Sequence, residues 1–230
     1  QPKLTINNSQ IYNSLNFGIY GRHAVINGDN LVANNAGEAS IALAQGGTAN
    51  FRQCTFANYF SSFNQVPVAI TDNADVAVPN PTTGKWEIVT RVSDVVANFD
   101  NCILYGSSNL GVSHIHEYSE DVSYTTKFNH CLIKIVDTAN QLRNNPLYPS
   151  NANNPEQALY SECIIAKSSI NDRPDFLDPQ NNKLTIGADS AANGTADAAI
   201  ATAVGADILG TPRQSPYDIG AYESIVFSED

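Results

Sequence analysis

The sequence predicts an all-β protein, a parallel solenoid of short strands with a C-terminal capping segment. Three observations point there. The phrase Phe99-Asp100-Asn101-Cys102-Ile103-Leu104 returns in close variants at 51–56, 128–133 and 160–165, each with its cysteine fourth. No window sustains the 3.6-residue apolar period of a helix, while Asn, Gly, Val, Ile and Thr are frequent. A unit this short cannot bury its own apolar face, so it has to stack on its neighbours. Leucine-rich repeats are set aside because their dense leucine spacing is absent. What remains is a chain whose successive turns pair as parallel strands about 4.8 Å apart.

Taken in order, copies start at Ile6, Ile26, Phe51, Phe99, Phe128 and Tyr160. Phe51 and Phe99 are 48 residues apart, which reads as two units with a degenerate copy near Val66–Asn73. In each phrase the two middle residues bend the chain. Asn7, Asn8, Asn27, Gly28, Asn101, Asn129 and His130 occupy those places, and Asn and Gly accept left-handed backbone angles cheaply. The flanking residues then face inward in three columns. Phe51, Phe99, Phe128 and Tyr160 form the first; Ser9, Asp29, Cys54, Cys102, Cys131 and Cys163 the second; Phe56, Leu104, Ile133 and Ile165 the third. Further strands are expected at 40–44, 66–70 and 112–116, where apolar residues alternate, and more weakly over Trp86–Val95. Surface loops are expected at 79–84 and 144–154, rich in Pro, Gly and Asn. Residues 1–173 hold the stacked turns. Residues 174–230 form a cap within the same domain, covering an open strand edge, with a short helix over Asp197–Val204.

The four cysteines read as a buried, unbonded column, since cysteine packs as a small apolar group. Disulfides are the competing reading, with three pairings that the spacing of stacked strands does not forbid. No CxxC or HxxxC spacing suits zinc, and four equivalent copies argue against a catalytic thiol.

Charge narrows the partners. Net charge is −11 with only 12 Lys and Arg, so the basic track that nucleic acid requires is missing. No apolar window is long enough for a membrane-spanning helix. The chain begins at Gln1 and contains no Met, which reads as a mature form or an excised piece.

The stretches Asn16–Ala24, Gln53–Phe60 and Gly210–Glu223, together with Pro174–Pro179, resemble right-handed single-stranded parallel β-helix proteins of the pectate-lyase-like superfamily. The likeness runs from about Leu4 to Glu223. It is nearest to the secreted or surface-anchored group common in Bacteroidetes, which often carries a terminal "DIGAYE" anchor-associated module like residues 218–223. The resemblance implies a right-handed solenoid with an extracellular or outer-membrane-surface address. It also implies a polysaccharide as the partner to expect. Lyases of this fold use a Lys or Arg base, often with calcium held by Asp and Glu; hydrolases of the fold use paired Asp. Fold does not fix function, and no tight acidic cluster appears here. The expectation is therefore a monomeric, non-catalytic carbohydrate-binding or display protein. It needs no cofactor, calcium being the one ion the resemblance admits. The alternative is a polysaccharide lyase or glycoside hydrolase, or its C-terminal half, acting on an acidic polysaccharide.

Candidate residues follow from chemistry. His114 and His116, two apart on a strand, share a face; if it is outward they can bind metal or act as acid and base near neutral pH. Arg22-His23 follows Gly21 at a corner, and an arginine can clamp a sugar carboxylate. Trp86, with Lys85 and Arg91 across a loop, makes a sugar platform if exposed. The carbohydrate-binding set is thus Arg22, His23, Trp86, Arg91 and His116, with His114, His116 and Arg22 the catalytic candidates and no metal ligands. Each has an ordinary alternative as a packing or surface residue. Glu117, Glu120 and Asp121 read as a solvated loop, and Asp218 as a capping or turn residue at the solenoid's end.

Overall fold

The structure, a computed structural model, describes residues 1–61, 64–117, 119, 121–149, 159–168 and 172–228. These residues form an all-β fold around one curled parallel sheet. Long strands β1 (Lys3–Ser14), β2 (Phe17–Ala36) and β3 (Ala39–Arg52) come first, then β4 (Thr55–Asn58) and β5 (Val66–Thr71). After a hairpin of β6 (Asn73–Pro79) and β7 (Trp86–Val92) come β8 (Val95–Asp100), β9 (Ile103–Gly106) and β10 (Val112–Ile115). The sheet is completed by β11 (Tyr124–Asn129), β12 (Leu132–Lys134), β13 (Tyr160–Ser161) and β14 (Ile164–Ala166). Its order is β13-β11-β8-β3-β2-β4-β9-β12-β14, with β1 on β2, and β5 joining β3 to β10.

The long strands run through corners. Phe17–Asp29 of β2 pairs with β3, whereas Val32 and Ala33 pair with β4. At the corner sits a residue with positive φ: Asn8, Asn30, Gln53, Asn101, His130 and Glu162, all between 47° and 52°. These are the third positions of the recurring phrase, except Asn30, which is the fifth residue of the copy starting at Ile26. Asn tolerates this conformation best; Gln, His and Glu adopt it where the sheet fixes both neighbours.

The predicted columns form. Phe51 lies 5.3 Å from Phe99, Phe99 5.1 Å from Phe128 and Phe128 4.9 Å from Tyr160, centroid to centroid. Cys54, Cys102 and Cys131 are buried, Cys163 is partly so, and all four are unbonded. Two expectations need correction. The copy starting at Ile26 is displaced by two residues: Gly28 pairs with Phe51, and Leu31, not Asp29, stands in the cysteine column. A side chain at Gly28 would press on the Phe51 ring, its Cβ 3.0 Å from Cδ1, so the ring takes the room instead. Asp29 forms an ion pair with Arg52 at 2.6 Å. Second, no copy intervenes between Phe51 and Phe99, which are direct neighbours. The long interval arises because β6 and β7 are inserted as an antiparallel hairpin. Val66–Thr71 is β5, which pairs with Ala39–Leu43 in a different stack.

The C-terminal segment lies across the outward face of the second parts of these turns, not over an open edge. Ile186, Ala192 and Ile219 pack on Ile103, Leu132 and Ala166, and Leu184, Ala221 and Tyr222 pack on Val32 and Ala57. It comprises an antiparallel pair, β15 (Phe176–Asp178) and β16 (Lys183–Ile186), and the helix α1 (Ala198–Val204). Asp197 caps α1 by accepting from Ala199 N and Ile200 N. Corner residues fasten it. Asn101 Nδ2 donates to Asp197 O, Asp197 N donates to Asn101 Oδ1, and Gly220 N donates to Asn101 O. The buried Arg213 guanidinium donates to Glu223 Oε1 at 2.8 Å, to Asn30 Oδ1 and to Gly220 O. Asp218 accepts from Gly194 N and Ser224 N, so it ties the segment to itself instead of capping a strand end. Gly220, at φ 101°, sits where a Cβ would fall 2.7 Å from Ile103. The "DIGAYE" residues thus have structural work in this fold. Of the loop expected at 144–154, residues 150–154 lie outside the described residues, as does Glu120.

Candidate functional site

Gly21, Leu43, Ile70 and His114 stand in register in neighbouring strands and point inward. One or two residues later each strand ends or bends, with Arg22 and His23 at this level on β2 and His116 just past β10. Arg22 is exposed, its Nε donating to Gln45 Oε1 at 2.9 Å. His23 follows with φ 46°. Further along the sheet, past β5 and β10, stand Asp72 and His116.

His114 requires correction. It does share a side with His116, but that side is the interior. The ring is buried, with Nδ1 2.9 Å from Tyr124 Oη and Nε2 3.3 Å from Tyr160 Oη. Phe128 and Tyr148 meet its ring edge-on. Burial pushes its pKa down to about 3, which keeps the imidazole neutral. His114 is a satisfied core residue.

His116 lies just past the end of β10. Its Nδ1 is 2.5 Å from Asp72 Oδ2, and its ring centroid lies 4.6 Å from that of Tyr124, the two rings tilted by 34°. The Asp72 carboxylate is fully buried; the His116 side chain is 12% exposed. Asp72 also accepts from Glu117 N and Asn73 Nδ2. A carboxylate on Nδ1 orients the ring and places the lone pair on Nε2, the arrangement of a general base. Asp72 carries no sequence signal, because its partner is 44 residues away in the chain.

From Asp72 the hairpin leaves the sheet. Its residues alternate between two faces. Asp75, Ala77, Pro79, Trp86, Ile88 and Thr90 occupy one face and are all exposed. Trp86 is 71% and Ile88 67% exposed, and Trp86 pairs with Pro79 near the turn. Arg91 is on the opposite face, so it does not flank Trp86 as expected. Trp86 stands six residues from the hairpin base at Val92, roughly 20 Å at strand spacing. The structure therefore pairs Asp72 with His116, leaves Arg22 and His23 on β2, three strand spacings or roughly 14 Å along the sheet from His116, and leaves Trp86 at the tip of the hairpin.

A calcium site does not fit these residues. Asp29 is taken by Arg52, and Asp72 by His116 and backbone N–H groups. Among the described residues no three His, Cys, Asp or Glu side chains form a metal-binding group. Among the described residues no helix is long and apolar enough to cross a membrane.

Comparison with protein-family models, with curated proteins and with solved structures finds no match to this chain.

Proposed function

We propose that this chain is a right-handed parallel β-helix displayed outside the cell, which binds carbohydrate without turning it over. The parallel pairing of successive turns, in register from Phe51 to Tyr160, supports the β-helix. The observation that carries the binding is the exposed apolar face of the hairpin. A tryptophan 71% exposed beside Pro79 and Ile88, on a two-stranded antiparallel hairpin, is a surface a pyranose ring can stack on. The distance of Trp86 from His116, and the burial of His114, favour binding over turnover. In this reading the protein is a monomer at the cell surface, requires no cofactor and takes a polysaccharide as its partner. Screening immobilised glycans, with the bound glycan then analysed for cleavage, tests it. Retention of an intact glycan by the protein, lost in Trp86→Ala, is the expected result; silence on all plant, algal and host glycans overturns it.

A polysaccharide lyase is the second reading, and the Asp72–His116 pair is the observation in its favour. His116, oriented by Asp72, would take the proton beside a uronic carboxyl group, with Arg22 three strand spacings along the sheet, where it could meet the carboxylate of a different sugar of the polymer. Ultraviolet absorbance of unsaturated ends, appearing with wild type and lost in His116→Ala, would establish this reading over the first.

A further inference from the structure

A second polar site lies away from the Asp72–His116 pair, between the outward face of β9 and β12 and the start of the C-terminal segment. Ile103 pairs with Leu132 and Leu104 with Ile133, which sets Tyr105 beside Lys134 on the same face. Lys134 is only 5% exposed. Its Nζ donates to Gly106 O at 2.8 Å and stands 5.3 Å from the Tyr105 ring centroid. Among the described residues no carboxylate is within ion-pair distance of it. Tyr105 is likewise 5% exposed, and its hydroxyl is buried with no hydrogen-bond partner. Both line a cleft of about 340 Å³ with Tyr59, Ser107, Phe176 and the Arg173–Asp175 pair. Arg173 is 3.5 Å from Asp175 and half-exposed.

A carbonyl and a ring face offset part of the cost of burying an ammonium group, but they carry no counter-charge. An unpaired phenol proton costs separately. One oxyanion relieves both at once. The unpaired donors are few: the Lys134 ammonium and the Tyr105 hydroxyl. Two donors match the two oxygens of a singly charged carboxylate; the larger charge of a phosphate would face Asp175 with no further unpaired donor to meet it. The cleft volume is at the lower end of small-molecule sites, enough for an acid of monosaccharide size.

We propose that this cleft binds a small carboxylic acid, its carboxylate held by Lys134 Nζ and Tyr105 Oη, while Arg173 neutralises the Asp175 carboxylate that also lines the cleft. The site is separate from the hairpin, and its ligand need not be part of a polymer. Burial alone holds the Lys134 amine below its ordinary range; the bound carboxylate raises it again.

The test is calorimetric titration of the intact protein with glucuronate, acetate, inorganic phosphate and glucose. Saturable binding of glucuronate is expected, with acetate weaker, and phosphate and glucose not binding. Lys134→Met is expected to weaken glucuronate by tenfold or more, in the range lost with a charge-assisted hydrogen bond. Tyr105→Phe keeps the ring and removes an unsatisfied hydroxyl, so it folds; it is expected to weaken binding several-fold. No saturable binding of glucuronate, equal binding of glucose, phosphate binding in its place, or a Tyr105→Phe affinity equal to wild type would each overturn the proposal.

Discussion

The backbone N–H of Cys102 donates to Sγ of Cys131 in the neighbouring turn, 3.4 Å away. The relationship repeats: Cys131 N donates to Cys163 Sγ, and Leu31 N to Cys54 Sγ. In return the thiols of Cys102, Cys131 and Cys163 donate to the carbonyls of Phe51, Phe99 and Phe128. The left-handed residue before each cysteine turns the N–H out of the regular ladder. The next thiol, small enough to stack and able to accept, satisfies it. This is why the column is cysteine and not valine. Cys131→Val should leave the Cys102 N–H buried and unpaired, at a cost of about 1–3 kcal/mol. Urea unfolding measures it; unchanged stability would mean that the sulfur contact is incidental.

The thiols should also differ in reactivity. Burial holds the Cys102 thiol well above its ordinary pKa, and only Cys163 has access to solvent. Alkylation of native protein is expected to mark Cys163 alone, slowly, and denaturant to release the other three. Rapid labelling of Cys54, Cys102 or Cys131 in the native state would contradict their burial.

Much of this column was legible in the sequence, because a phrase that puts a turn-forming residue between apolar ones constrains both backbone and side-chain direction. The copy at Ile26 was misread because Gly28 stands where the others carry a ring, and a pattern of side chains cannot see an absent one. The hairpin was hidden because Phe51 and Phe99 pair directly, and spacing alone cannot separate an extra turn from an insertion. The strand that carries His114 ends at Ile115, before His116, and the burial of His114 depends on Phe128 and Tyr160, rings brought to it from other strands. Lys134 and Tyr105 passed as ordinary members of apolar runs; a lysine inside Cys131–Val136 was the available signal. The lateral path of residues 174–228 rests on Asn30 and Asn101, contacts no local pattern encodes.

His114 gives the fold a pH dependence. Its folded pKa of about 3 lies below the ordinary value of about 6.5. The unfolded chain therefore binds the proton first. The stability gained by keeping the ring neutral is complete above about pH 6.5 and is lost as pH falls toward 3, on the order of 5 kcal/mol in all. The groups facing it are the hydroxyls of Tyr124, Tyr148 and Tyr160. Wild-type stability should fall across this window more steeply than that of His114→Phe, measured by denaturant unfolding at a series of pH values. Parallel curves would remove His114 from the account.

The Arg213–Glu223 pair holds the C-terminal segment against Asn30. Glu223→Gln leaves a fully buried guanidinium without its partner carboxylate and should destabilise by about 3 kcal/mol. Earlier proteolysis of residues 174–228 should accompany it. A loss under about 0.5 kcal/mol, the ordinary scatter of a surface substitution, would show that the pair is dispensable.

The hairpin should be separable from the sheet. Ser93 N donates to Asp72 O at 2.9 Å, so the two ends of the insertion already meet. Replacing residues 74–91 with a short Gly-containing turn should leave the far-ultraviolet circular dichroism characteristic of the sheet and abolish glycan binding. Loss of the sheet signal would show that the hairpin is part of the core.

The most direct measurement uses the chain's single tryptophan. Intrinsic fluorescence of the intact protein, titrated with oligosaccharides of whichever glycan is retained, reports on Trp86 and nothing else. Saturable quenching or a blue shift, together with an undegraded ligand, is the predicted result. An emission spectrum indifferent to a glycan that demonstrably binds would place the binding surface elsewhere and contradict the claim.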